Sequence, residues 1–255
     1  MNLKTLALAG ATVVAIAATV AATTVTAVAQ APQESTIRAR LAERFPDLKK
    51  VDEVSRTSMP GIWEVRLGTE LYYTDAEATH LIIGGQIMDT KTRRNLTEER
   101  LTKLTAIDFA SLPLKDAIVW KTGNGKRRIA VFSDPNCGYC KRFEQELAKA
   151  KDLTVYTFLM PVLGDDSHDK ARSIWCATDR TAVWRDWMVQ GLLPPRVEAA
   201  KGCETPIERN LALGGRHNVR GTPAIVFEDG LRVPGMLNAV QLEKQLERQA
   251  GAAKS

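Results

Sequence analysis

The sequence is short of the residues on which several protein classes depend. Four cysteines in 255 residues are too few for a disulfide scaffold, so a packed apolar core has to hold the fold. Charge of one sign is not in large excess: 35 Lys and Arg stand against 30 Asp and Glu, a net +5. The basic residues are spread along the chain and no nucleic-acid motif is present, so no nucleic-acid partner is implied. Internal repeats and low-complexity tracts are absent beyond the N-terminal segment. Apolar residues at 44% and charged residues at 25% exclude collagen-like, disordered and polytopic membrane classes. The length allows one large domain or two small ones.

The one long uncharged run lies at the N-terminus. Leu6 to Val28 is rich in Ala, Val and Thr, follows Lys4, and ends in Ala27-Val28-Ala29. That pattern predicts an exported protein whose signal peptide, residues 1–29, is removed after Ala29. An uncleaved anchor is the alternative, because 23 uncharged residues could span a bilayer. Export would put the cysteines in an oxidising compartment, where disulfides persist.

Beyond the leader, Ser35 to Phe45 reads as a short amphipathic helix capped by Ser35, with Ile37 and Leu41 on one face and Pro46 as its stop. Val51–Ser58 and Ile62–Leu67 read as strands, the second with Trp63, Val65 and Leu67 on its buried face. Leu71–Thr74 and His80–Ile83 flank Asp75-Ala76-Glu77 as a hairpin. A helix is expected from Asn95 to Phe109, where Asn95 and Glu98 stand at capping-box spacing. The domains expected are 30–94, a linker helix within 95–112, and 113–255, with Pro113 near the boundary. In the last of these, Ile129-Ala130-Val131-Phe132 suits a strand buried on both faces. A helix bearing Cys140, Phe143 and Leu147 follows it, then a strand Leu153–Met160. Ser167–Gln190 reads as helical. A helix opens at Thr205-Pro206-Ile207-Glu208, capped by Thr205 and closed by Gly214-Gly215. The hairpin Ala224–Phe227/Leu231–Val233 and a terminal helix from Asn238 complete the chain.

Chemistry concentrates at Cys137 and Cys140, three residues apart where a strand gives way to a helix. Cys137 would sit at the helix start, where unpaired N–H groups and the helix dipole stabilise a thiolate. That makes it the attacking nucleophile, with the shielded Cys140 as resolving thiol. Lys141 and Arg142 add positive charge beside the pair and are candidates for tuning its pKa. Competing readings are half of a zinc site, a structural disulfide, or coincidence. A zinc site lacks support in the ligand count: His80, His168 and His217 are scattered, and Cys176 and Cys203 form no second C-x-x-C, so no metal is expected. Thr222-Pro223 stands just before a predicted strand, which marks a turn and a candidate cis bond, a plain loop proline being the alternative.

Cys137-Gly138-Tyr139-Cys140 after an apolar strand, with Gly221-Thr222-Pro223-Ala224 further on, resembles the thioredoxin-fold catalytic domain of periplasmic disulfide isomerases of the DsbC/DsbG type. Ile174-Trp175-Cys176-Ala177, Val233-Pro234-Gly235 and the segment Leu71–Gly84 extend the likeness over nearly the whole exported chain. The resemblance implies an α+β protein: a thioredoxin-like catalytic domain with a helical insertion, preceded by a small helix-plus-antiparallel-sheet (cystatin-like) dimerisation domain and a linker helix. It further implies that Cys137 attacks substrate disulfides and Cys140 resolves the mixed disulfide. Pro223 would be a cis-proline facing them, with Thr222 beside it contacting bound peptide. Cys176 and Cys203 would form a structural disulfide. No cofactor is implied. The partners implied are misfolded disulfide-containing exported proteins, a membrane reductase of the DsbD type, and a second copy of the chain joined through the N-terminal domain. A reductant of oxidised single cysteines, as in the DsbG kind, and a holdase chaperone are the alternative functions.

Overall fold

The computed structural model describes residues 30–48, 50–195 and 203–252. The run Leu6–Val28 and the cleavage motif at Ala29 lie outside them. Among the described residues, no helix is long and apolar enough to cross a membrane. The chain forms two compact units, one with residues through Leu67 and Tyr72–Ile83, the other with Gly68–Leu71 and the residues from Gly84 on.

The first unit starts with helix α1 (Gln30–Arg44), followed by β1 (Glu53–Arg56), β2 (Ile62–Leu67), β3 (Glu70–Asp75) and β4 (Leu81–Ile83), which lie in sheet order β1-β2-β3-β4. Alternation in β2 drives Trp63, Val65 and Leu67 into a core with Ile37 and Leu41 from α1. The helix begins at Gln30, so Ser35 lies inside it rather than capping it. Asp75 closes the β3–β4 hairpin, its carboxylate accepting from the backbone N–H groups of Glu77, Thr79 and His80. At the sheet edge, β4 presents Ile82 and Ile83, 46% and 73% exposed.

The second unit opens with a two-stranded pair, β5 (Met88–Asp89) and β6 (Arg94–Asn95), leading into α2 (Leu96–Leu104). Asn95 caps α2, accepting from the Glu98 N–H at 3.1 Å. The helix stops at Leu104, short of the expected Phe109. Ile107 and Phe109 are drawn into the core instead, and Asp108 caps a separate 3-10 turn, Phe109–Ser111. The main sheet has the order β11-β10-β8-β9-β7. Its strands are β7 (Ile118–Lys121), β8 (Arg127–Ser133), β9 (Leu153–Leu159), β10 (Ala224–Phe227) and β11 (Arg232–Pro234). Only β8 and β9 run parallel, as a strand–helix–strand crossover requires. The edge strand β7, which pairs antiparallel with β9, escapes a reading by pattern because only four residues carry it.

Both faces of β8 are covered. Ala130 and Phe132 pack with Phe158 and Val226 on one side, Ile129 and Val131 with Ile225 and Phe227 on the other. Helix α3 (Gly138–Leu147) inserts Phe143 and Leu147 into the second of these cores.

The helical stretch expected over 167–190 consists of three pieces: α4 (Asp165–Trp175), α5 (Arg180–Arg185) and a π-turn, Asp186–Gln190. Asp179 breaks the run by accepting from the Ala182 N–H at 2.9 Å, an N-cap that starts a new helix. Helix α6 (Ile207–Arg216) starts at Pro206 with no side-chain cap, so Thr205 does not play that part. Gly214 and Gly215 lie within its last turn. At Gly214 a Cβ would come within 2.8 Å of Met160 Sδ, so the glycine serves close packing of α6 on the sheet. Helix α7 (Ala239–Ala252) ends the described chain.

Candidate active site

The register of the main sheet assembles the site. Ala224 pairs with Phe132, so the residues just before β10 are carried to the segment that follows β8. Those residues are Thr222 and Pro223, joined by a cis peptide bond, and that segment leads to Cys137. The Cys137 Sγ lies 3.2 Å from the Thr222 carbonyl oxygen, to which its thiol donates. A cavity of about 310 Å³ opens beside this turn, lined in part by Val219, Thr222, Pro223 and Pro234.

Cys137 is the N-cap residue of α3, and its sulfur accepts from the Cys140 N–H at 3.3 Å. The two cysteines are not bonded to each other; Cys137 is 6% exposed and Cys140 1%. Their acidities diverge. Cys137 is lowered to about 6, foremost by the Cys140 thiol donating to it, then by the Thr222 side chain and the N–H groups of Cys140 and Tyr139. Those bonds overcome burial, which acts in the opposite sense. Cys140 is pushed well above the ordinary thiol range, by burial first and by Cys137 second. The two thiols are thus shifted in opposite directions, Cys137 toward the thiolate and Cys140 toward the protonated form.

Lys141 and Arg142 stand beside the pair in sequence but act elsewhere. Lys141 Nζ lies 3.5 Å from the centroid of the Trp187 ring, and Arg142 stacks over Tyr139 at 5.5 Å. Hydrogen bonds, rather than these two cations, set the acidity of Cys137. Cys176 and Cys203 are joined as a disulfide that packs against the same cluster as Cys137 and Cys140, together with Trp175, Trp184 and Trp187. Among the described residues, no group of His, Cys, Asp and Glu could hold a metal ion.

Residues 114–250 match the profile of a thioredoxin-like domain, and residues 28–98 that of the disulfide bond isomerase protein N-terminal domain. A probable thiol:disulfide interchange protein DsbC of Bordetella parapertussis is 46% identical over 84% of this chain and 75% of that protein. The chain belongs to the DsbC family. It is a thiol:disulfide interchange protein, with the α+β organisation and thioredoxin-like domain of that family. The DsbC of Escherichia coli K12 is 28% identical over 78% of this chain and 82% of its own length. A crystal structure of a disulfide interchange protein from Neisseria gonorrhoeae is 39% identical, covering 54% of this chain and 97% of that one, with a TM-score of 0.49.

Three residues of this DsbC-family site escaped the reading by pattern. Asp134, fully buried, accepts from the N–H groups of Asn136, Val162 and Leu163 and from the Ser167 hydroxyl, so it ties the strand end before Cys137 to the start of α4. Trp187 donates its indole N–H to the Pro135 carbonyl at 2.6 Å and so holds the same loop from the other side. Glu144, buried on α3, carries a carboxyl pushed up to about 7 by burial. A signal for Glu144 was present. Cys140, Phe143 and Leu147 define the inner face of α3, and Glu144 is a charged residue on that same face.

Proposed function

We propose that the protein is an exported, homodimeric disulfide isomerase acting in the periplasm, with Cys137 as nucleophile and Cys140 as resolving thiol. The observation that carries this reading is the opposed acidity of the two thiols beside the Thr222–Pro223 turn. The Cys137 thiolate attacks a sulfur of a wrong disulfide, forming a mixed disulfide and releasing the other substrate sulfur as a thiolate. A substrate thiolate can then attack the mixed disulfide, which returns Cys137 as thiolate and leaves a rearranged disulfide with no net oxidation. Alternatively Cys140 attacks Cys137, so that the enzyme leaves oxidised and the substrate reduced. The second outcome consumes dithiol, which calls for an electron donor such as a membrane reductase of the DsbD type. Thr222 and Pro223 would line the substrate path, and the cavity beside them gives room for an extended chain. The Cys176–Cys203 bond is assigned a structural role.

In this reading residues 1–29 are a signal peptide cleaved after Ala29, residues 30–94 form the dimerisation domain, 95–112 the linker, and 113–255 the catalytic domain. Dimerisation through β4 draws support from its exposed Ile82 and Ile83, an edge without the Lys or Pro that guards a free strand. The test is reactivation of a scrambled multi-disulfide protein. Wild type should restore activity and Cys137→Ser should not. Suppression of aggregation without rearrangement, unchanged in Cys137→Ser, would instead mark a holdase. Reduction of sulfenic acid without rearrangement would mark a DsbG-like reductant.

A further inference from the structure

Glu144 is a buried acid that thiol exchange, as described above, leaves unused. It is 2% exposed, its Oε1 accepts from Trp184 Nε1 at 2.9 Å, and among the described residues nothing bonds Oε2. A carboxyl with one open oxygen is costly to bury, so packing alone gives no reason for it at a core position. Among the described residues, the other two buried acids are fully engaged. Asp116 forms a two-pronged pair with Arg209, and both oxygens of Asp134 are filled by four donors.

The place of Glu144 relates it to Cys140. The two stand four residues apart on one face of α3, which sets their Cβ atoms about 6 Å apart. Helical side chains lean toward the helix N-terminus, and Trp184, whose indole N–H bonds Glu144 Oε1, packs in the same buried cluster as Cys140. Cys140 must lose a proton before it can attack, yet it is 1% exposed. Its immediate partners are poor acceptors: Cys137 is engaged in the mixed disulfide at that moment, and the Ser133 hydroxyl is too weak a base.

We propose that Glu144 is the proton acceptor for Cys140 in the resolving step. The Glu144 carboxylate takes the Cys140 thiol proton as Cys140 Sγ attacks Cys137 Sγ. The Cys137–Cys140 bond forms, the Cys137–substrate bond breaks, and the substrate sulfur leaves as a thiolate with the electron pair. Two enzyme sulfurs are oxidised and the substrate disulfide is reduced. When the enzyme is reduced again, Glu144 returns the proton. The near-neutral acidity of the carboxyl suits a group that must both accept and release a proton at pH 7. Arg185 of α5 acts on it in the opposite sense to burial, Asp186 opens the turn that follows, and Cys140 shares the buried face of its own helix.

This inference rests on Cys140 being the resolving thiol, and the experiment separates the two. The reduced full-length protein is mixed with an aromatic disulfide whose thiolate is coloured. Attack by Cys137 releases one equivalent, and resolution by Cys140 releases a second. In Glu144→Gln the second phase should slow by at least about tenfold at pH 7 and lose its inflection near neutral pH, while the first phase is unchanged. Glu144→Asp should restore part of the rate. Cys140→Ser should release one equivalent only; release of two would overturn the resolving role and the proposal with it. One equivalent from Cys140→Ser together with a wild-type second phase and pH profile in Glu144→Gln would overturn the proposal alone. Should Glu144→Gln fold poorly, infrared difference spectra of the oxidised and reduced wild type decide the matter. The proposal requires a buried carboxyl whose protonation changes with the redox state, and the absence of such a band overturns it.

Discussion

The Thr222 carbonyl oxygen stands 3.2 Å from the Cys137 sulfur, although 85 residues separate the two in sequence. The pairing of Ala224 with Phe132 produces that contact, because it carries the turn before β10 to the start of α3. The Thr222 side chain adds a bond of its own that favours the Cys137 thiolate. A remote segment therefore shares in setting the acidity of Cys137.

Cys137 should be mostly thiolate at pH 7, since its pKa is lowered to about 6. Cys140→Ala removes the bond that contributes most and should raise the Cys137 pKa toward its ordinary value. Thr222→Val should raise it less. Alkylation rates followed across pH, with the label mapped, check both changes. Faster labelling of Cys140 than of Cys137 in the reduced wild type would reverse the roles assigned.

Glu144 should make the protein less stable as pH rises. Its folded pKa of about 7 exceeds the unfolded value of 4.5, so the folded state holds the proton more tightly. Below the unfolded value the carboxyl is neutral in both states and costs nothing on this account. Between the two values the unfolded chain ionises first, and stability falls by on the order of 3 kcal/mol before levelling off above pH 7. Glu144→Gln should abolish that fall, which urea denaturation at pH 4.5, 6 and 8 would measure. An equal decline in both proteins would show that other groups cause it.

Removal of the Cys176–Cys203 bond should weaken the second unit while sparing the chemistry. The bond closes a separation of 27 residues, for which chain entropy gives about 3–4 kcal/mol. The double variant Cys176→Ala/Cys203→Ala should unfold at lower denaturant concentration and keep the alkylation rate of Cys137. A lost or greatly altered Cys137 rate in a folded variant would instead tie this disulfide to the active site.

Ile83→Lys should give monomers, because the residue lies on the exposed edge strand β4 and is 73% exposed. The monomer should still release both equivalents from a small aromatic disulfide, yet fail to reactivate a scrambled protein that two catalytic domains must hold. Sedimentation at micromolar concentration reads the first outcome and reactivation assays the second. A wild type that sediments as a monomer would refute dimerisation through β4.

Patterns local in the chain were legible without coordinates. Alternation placed Trp63, Val65 and Leu67 on one face of β2, and a continuous apolar run marked β8 as buried on both sides. Two cysteines at a strand-to-helix junction announced thiol chemistry, because the unpaired N–H groups of a helix start favour a thiolate. Helix limits were less legible, because they depend on competition with the core. The chain leaves α2 at Leu104 to bury Ile107 and Phe109, and α1 runs back to Gln30 past a serine that could have capped it. Only the tertiary structure decided which groups act on the thiols. Lys141 and Arg142 are neighbours in sequence but lie over aromatic rings, whereas Thr222 and Trp187 reach the site from distant elements. The effect of a charge or a hydrogen bond depends on distance and burial, and those follow from how the sheet and helices pack rather than from spacing along the chain.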